Sequence, residues 1–493
     1  MKFISTRGNS VVDCSARAIV NGLADDGGLF VPEYFPDVTA KFCDMLEMSY
    51  PERACFVLKQ FLEEDDEAEL LSACERAYSK FSEDDPVPVL KLDDKFYIME
   101  LFHGPTLAFK DVALTMLPYL LRKGSEICGI KEEILILTAT SGDTGKAALE
   151  GFKDESGVKI MVFYPCDGVS DMQKLQMCTQ EGANVNVVAV KGNFDDCQTS
   201  VKTIFSNPDV KKNFKEKGVI LSSANSMNFG RLCPQITYYF SAYMDMVNAE
   251  EIKMGDKVDF VVPTGNFGNI LAGYYAKRMG LPINKLICAS NDNNVLTEFI
   301  CNGEYNANRE FFKTTSPSMD ILVSSNLERL IFELSDRNFE ITKSRMEDLK
   351  KTGVYNVSEK ELDTLNDEFY ADFCDEEECF ETINDTFEEY GYVLDPHTSV
   401  AVKVANSYRN FTESDKPIVV LSTASPYKFP QSVYNALNGK YVADAFVSAE
   451  KLESLTAFPM PKQLSELKQK KIRFNKIVDK DQAYSAVLEF IEK

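Results

Sequence analysis

A chain of 493 residues with 44% hydrophobic and 26% charged side chains has the balance of a water-soluble globular protein, long enough for several buried cores. Its formal net charge of −24 argues against a nucleic-acid partner, which needs a basic footprint. No apolar run reaches the ~20 residues of a membrane span, and Met1-Lys-Phe-Ile-Ser-Thr-Arg-Gly8 lacks a signal peptide's apolar core, so a cytoplasmic protein with no membrane partner is expected.

The first 95 residues read as a small α-rich unit with an extended start. A helical pattern runs from the acidic Glu63–Glu67 to Phe81, and Glu83-Asp-Asp-Pro-Val-Pro88 marks a boundary. Beyond it, Lys110 lies between an apolar Thr106-Leu-Ala-Phe109 run and a helix predicted over Val112 to Leu121. Burial of a lysine in such surroundings frees its amine for a Schiff base with an aldehyde. Strands are then predicted at Glu133–Thr138, Val158–Tyr164 and Val185–Val190, with helices at Lys146–Phe152 and Met172–Glu181 between them. The alternation resumes with Val258–Val262, a helix over Ile270–Met279, Lys285–Ala289 and Pro417–Leu421. Strands separated by helices at this spacing predict parallel sheets covered on both faces, with ligands at the C-terminal strand ends.

The expected units are an N-terminal domain (1–95), a first α/β lobe (96–228), and a second lobe from 229–339 and 393–493. Residues 340–392 hold 17 acidic and five basic side chains and read as an acidic helical insertion, most simply a solvated face. Thirteen scattered cysteines with no Cys-x-x-Cys, and only His103 and His397, predict reduced thiols and no metal site.

Two loops carry glycines in a strand–loop–helix context. Thr264-Gly-Asn-Phe-Gly-Asn269 would expose backbone amides at a helix start, where a phosphate is favoured. It has neither a P-loop ending nor the three-glycine dinucleotide spacing. Thr140-Ser-Gly-Asp-Thr-Gly145 could hold a second anion, although Ser141 or Asp143 would equally serve as an N-cap. An imine-forming lysine with phosphate cradles points to pyridoxal phosphate, which carries both an aldehyde and a phosphate.

Ser5-Thr-Arg-Gly8, Gly22–Pro32, His103-Gly-Pro-Thr-Leu-Ala-Phe-Lys-Asp111, Thr140–Gly145, Asn225-Ser-Met-Asn-Phe-Gly-Arg231, Pro263–Asn269, Asp395-Pro-His-Thr398 and Ser422-Thr-Ala-Ser-Pro-Tyr-Lys-Phe429 follow one another along the chain. In this order they resemble the threonine synthase family, pyridoxal-phosphate enzymes of fold type II (the tryptophan-synthase-like group). The resemblance implies an α/β fold with two parallel-sheet-based lobes, and a monomer, the state common among microbial members. It implies that Lys110 forms the imine with the cofactor and shuttles protons. Gly265, Asn266, Phe267, Gly268 and Asn269 would bind the cofactor phosphate, and Thr423 would face the pyridine nitrogen. Ser141, Asp143, Thr144, Lys146, Asn225, Ser226 and Arg231 would meet the substrate's carboxylate and phosphate. Asp143 has no evident role in this scheme, since a carboxylate beside two anions is unfavourable unless hydrogen-bonded or protonated. Met227 and Gly230 stand where the family more often has isoleucine and alanine, and Ser425 where histidine is frequent. The implied reaction converts O-phospho-L-homoserine and water to L-threonine and phosphate. The same motifs suit a phospholyase giving 2-oxobutyrate, ammonia and phosphate.

Overall fold

Apolar runs such as Ile134–Leu137 and Phe260–Val262 are buried on both faces, so each must lie inside a covered sheet. The computed structural model describes residues 1–140, 142–166 and 169–492, with the side chains of Phe194, Asp195 and Ser206 left aside. Ser141 therefore lies outside the described residues.

Two large sheets result. The first has five parallel strands in the order Ile477–Val478, Val185–Val190, Val158–Pro165, Glu133–Ala139, Val219–Ser222. The second has six, in the order Phe369–Phe373, Ile283–Ser290, Val258–Pro263, Ile418–Ser422, Phe96–Glu100, Val89–Asp93. All of its neighbours are parallel except the last pair, which is antiparallel. The strands foreseen in the sequence take these places within a residue or two. The helix expected from Val112 is instead two, Lys110–Leu114 and Leu117–Ile127, the second opening on Pro118.

Three boundaries differ from the sequence reading. Strand 96–100 pairs with 418–422, so it belongs to the second sheet and not to the first lobe. The last residues return to the first lobe: strand 477–478 extends its sheet, and Val487 and Phe490 of helix Ala483–Ile491 pack with Leu135, Leu137 and Phe163. The acidic segment 340–392 is mostly helical, in Phe339–Thr352, Glu359–Glu368 and Glu376–Tyr390, but it also supplies strand 369–373, the edge of the six-stranded sheet. Its helix Glu376–Tyr390 buries Cys379 and Ile383 in the same core as Val400 and Val420.

The N-terminal unit forms a three-stranded antiparallel sheet and helices that include Ser15–Asn21, Tyr50–Lys59 and Glu67–Tyr78. Asp66 caps the last of these by accepting from the amides of Ala68 and Glu69. Two consecutive side chains fasten this unit to the second lobe. Glu328 accepts from Thr6 Oγ1 (2.5 Å) and Arg7 Nε (2.8 Å), and the fully buried Arg329 donates to the carbonyls of Phe30 (3.0 Å) and Met227 (2.7 Å) and to Asn326 Oδ1 (2.6 Å). A Cβ on Gly230 would come within 2.8 Å of Ile19 and 3.1 Å of Leu117, so helix Ser15–Asn21 packs where a larger residue would stand.

Candidate active site

Lys110 opens its helix from a loop held rigid by its neighbour. The Asp111 carboxylate accepts from Thr106 N (2.8 Å) and Thr106 Oγ1 (2.6 Å), and a Cβ on Gly104 would collide with the Asp111 Cβ at 2.4 Å and with its Oδ2 at 2.5 Å. Phe109 N donates to the Thr423 carbonyl and Ser425 N to the Leu107 carbonyl, tying the loop to the end of strand 418–422. The lysine is thus held in the interior. Its ammonium stands 3.3 Å from Ser318 Oγ, 4.0 Å from Asp143 Oδ2 and 4.7 Å from the centre of the Phe109 ring. Burial brings its pKa down to about 8; Asp143 opposes the fall while Arg231 and Lys428 add to it. Burial also pushes the Asp111 carboxyl up to about 6, against the hydrogen bonds from Thr106.

The Thr264–Asn269 loop follows strand 258–263 and opens helix Gly268–Arg278. The Gly265 carbonyl accepts from Ser324 Oγ and the Asn266 carbonyl from Asn326 N and Nδ2. With the carbonyls so engaged and Phe267 in the left-handed region (φ +61°), the amides of Gly268 and Asn269 lack intrahelical acceptors. Asn269 Oδ1 accepts the hydroxyls of Tyr238 (2.5 Å) and Tyr239 (3.0 Å), which fixes the amide and leaves its buried Nδ2 without a partner among the described residues. An orphaned buried donor costs about 1–3 kcal/mol. The Asn266 side chain is exposed and accepts from Ser325, so it turns away from the interior. Ser226 lies beside this loop, its Cβ 3.7 Å from where a Cβ on Gly268 would be.

In the other glycine loop, Thr140 Oγ1 accepts from the amides of Gly142 (3.0 Å) and Gly145 (2.9 Å). Gly142 has φ +145°, and a Cβ there would strike the Gln173 side chain at 2.4 Å. Gln173 Nε2 donates to Asp143 Oδ1 (2.9 Å), and Lys428 Nζ lies 2.7 Å from the same oxygen. Burial alone would raise the Asp143 pKa, but Lys428 and Lys110 overcome it and hold the carboxyl well below its ordinary range.

The remaining expected substrate contacts divide. Lys146 is committed to Glu150 (2.8 Å) and Gln180 and does not join the cluster around Lys110. Asn225 Oδ1 accepts weakly from Thr138 (3.4 Å), and Thr144 is half-buried on helix Asp143–Gly151. Arg231 is buried, donates to the Ala224 carbonyl (2.8 Å), and has no carboxylate partner among the described residues. Burial lowers its pKa to about 10.

Sequence reasoning gave no role to several residues at this site. Ser318 sits on a short turn whose amide donates to His397 Nε2 (3.2 Å), so the His397 proton is on Nδ1, directed at Asp395 Oδ1 (2.8 Å). The turn is anchored from the acidic segment, where Glu376 accepts from Thr315 N and Oγ1, and from Asn291, which donates to Ser316 Oγ. Lys428, fully buried on the turn after strand 418–422, also donates to the Thr106 carbonyl (2.9 Å). Ser422–Phe429 stood out as a motif; nothing local marked its lysine or Ser318. Among the described residues no cluster of metal-ligating side chains occurs, and no helix is long and apolar enough to cross a membrane.

Residues 86–424 match the family described as pyridoxal-phosphate dependent enzyme, residues 2–78 the threonine synthase N terminus, and residues 398–491 the threonine synthase C-terminal region. Threonine synthase of Saccharomyces cerevisiae is 38% identical, with 99% of this chain and 98% of that protein covered. Threonine synthase-like 1 of Homo sapiens is 40% identical over 89% of this chain, which spans only 61% of that relative's length. The crystal structure of PLP-bound threonine synthase from Brucella melitensis superposes with a TM-score of 0.88 at 37% identity, covering 100% of this chain and 98% of the other. From its N-terminal unit to its last helix, the chain belongs to the threonine synthase family of pyridoxal-phosphate-dependent enzymes.

Proposed function

We propose that the chain is a threonine synthase, converting O-phospho-L-homoserine and water to L-threonine and phosphate. The observation that carries this reading is Arg231, a buried guanidinium close enough to lower the Lys110 pKa yet without an acidic partner among the described residues. A charge so placed calls for an anion, and a second phosphate is what distinguishes this substrate from serine or threonine.

The residues present fit pyridoxal phosphate. The free amides of Gly268 and Asn269 at a helix start suit its phosphate, the orphaned Asn269 Nδ2 awaits an acceptor, and Lys110 offers a buried amine of lowered pKa. When bound, the cofactor supplies an electrophilic carbon and a ring that delocalises carbanion charge. Gly265 to Asn269 would hold its phosphate, through backbone amides in the case of Asn266, and Thr423 would lie at its ring. Lys110 Nζ would take the proton from substrate Cα and return protons to the same molecule, its supply of free amine near neutrality following from its burial. Arg231 would grip the substrate phosphate, with Asn225, Ser226, Thr144 and Ser141 around the carboxylate and phosphate. Lys146, neutralised by Glu150, would shape the wall without gripping an anion.

The test is product analysis with pyridoxal phosphate and O-phospho-L-homoserine, wild type against Lys110→Ala. The expected result is phosphate released with matching threonine and no product from the variant. Phosphate with 2-oxobutyrate and ammonia would make the chain a phospholyase instead. A supporting point for the synthase is full-length kinship at 38% identity to a protein named threonine synthase.

A further inference from the structure

Asp143 is a carboxylate beside sites that would hold anions, and its surroundings explain how it is tolerated. Among the described residues four side chains reach it: Gln173 Nε2 at 2.9 Å, Lys428 Nζ at 2.7 Å, Ser318 Oγ at 3.5 Å and Lys110 Nζ at 4.0 Å. Lys428 is the most deeply buried of the two lysines, at 0% exposure, and its other hydrogen bond goes to the Thr106 carbonyl in the lysine loop. One ammonium therefore joins three loops: its own turn after strand 418–422, the loop that delivers Lys110, and the Gly142–Gly145 loop. We propose that Lys428 is a positioning residue that holds Asp143 ionised and aimed at Lys110, so that the carboxylate is shared between two lysines and Lys110 can give up its proton.

Two lysines compete for one carboxylate. An unshared Asp143 facing Lys110 in a water-poor interior would form a closed ion pair and keep the amine protonated. Lys428 is nearer the carboxylate by more than an ångström, so it takes the stronger share and at the same time repels the proton on Lys110. The other charged groups that act on Lys110 are Arg231, which also repels the proton, and Asp111, which favours it but is occupied by Thr106. Ser318 accepts from Lys110 and is uncharged, and the Nε2 of His397 behind it accepts from the Ser318 amide. Lys428 is thus the cation whose removal should most directly return Asp143 to Lys110.

The inference rests on the proposed function only in taking Lys110 as the reacting amine, and its test does not use catalysis. The full-length chain without added cofactor is reductively methylated with formaldehyde and cyanoborohydride across a pH series, and the Lys110 peptide is quantified by mass spectrometry. In Lys428→Met the midpoint for Lys110 labelling should rise by about one pH unit, a roughly tenfold loss of labelling near neutral pH. Lys428→Arg should restore it, and Asp143→Asn should move the midpoint the other way. A folded Lys428→Met protein with an unmoved or lowered midpoint would overturn the proposal. Should that variant not fold, Asp143→Asn decides the matter: an unmoved or raised midpoint is equally fatal. Lack of threonine production in the separate assay would alter the reading of the reaction without touching this result.

Discussion

Lys110 is held in the interior before any ligand arrives, and that placement has a thermodynamic signature. A lysine whose pKa falls to about 8 on folding, from an ordinary value near 10.5, opposes folding below pH 8, and the opposition fades as pH rises toward 10.5. In the cofactor-free chain, Lys110→Met is expected to be more stable than wild type by about 2–3 kcal/mol at pH 7. The difference should shrink steadily between pH 8 and 10.5, as denaturant melts at several pH values would show; a constant difference would contradict a buried, shifted lysine. Arg231→Gln should retain the cofactor's visible absorbance while raising KM for the proposed substrate, O-phospho-L-homoserine, about 100-fold, the worth of roughly 3 kcal/mol of charge-assisted hydrogen bonding. An unchanged KM would remove Arg231 from the phosphate site. At this scale the sequence singles out Lys110 from its apolar surroundings, and adds Arg231 as a candidate through the family resemblance. It does not reveal Lys428 and Ser318, whose importance comes from partners 208 to 322 positions away. Lys146 shows the opposite case: its place in a glycine loop suggests an anion contact, but Glu150, one turn along the same helix, claims its charge.

Among the elements, the glycine loops and the strands before them were legible because strand, loop and helix start are contiguous. The edge strand 369–373 was not, since Phe-Tyr-Ala-Asp-Phe is short and lies in an acidic stretch whose composition resembles a solvated helix. Strand 96–100 went unnoticed as well, placed in the first lobe by its position in the chain, although it pairs with 418–422 across more than 300 residues. The loops also differ in what they tolerate. A Cβ at Gly265 would meet the Ser318 carbonyl at 2.7 Å, and backbone does not yield easily, whereas at Gly268 nothing described lies nearer than 3.4 Å. Gly265→Ala should therefore weaken pyridoxal phosphate binding about tenfold or more (at least ~1.4 kcal/mol), measured by absorbance titration, and also disturb the turn that presents Ser318. Equal cofactor affinity in wild type and variant would show that the turn can move aside without effect.

The whole molecule is tied together by side chains remote from the reacting amine. Glu328 and Arg329 fasten Thr6, Arg7 and Phe30 to the same helix whose start supports Asn266 through Asn326. The opening Ser-Thr-Arg-Gly motif is thereby explained as an attachment between units, something its sequence alone does not disclose. Arg329→Met should lower stability by about 3–5 kcal/mol, because the Phe30 and Met227 carbonyls and Asn326 Oδ1 lose a buried donor, at about 1–3 kcal/mol each. Pyridoxal phosphate affinity should fall with it, and a melt that shifts without any change in affinity would separate the two units energetically. The return of the chain end to the first sheet has a different consequence, in time. Strand 185–190 is made early, yet the neighbour that covers its open side, residues 477–478, and the helix that follows leave the ribosome only after nearly 300 further residues. Until then the nascent protein carries an unpaired β edge and an uncovered apolar face around Leu135, Leu137 and Phe163, the kind of surface that chaperones capture and that aggregates when translation stops short.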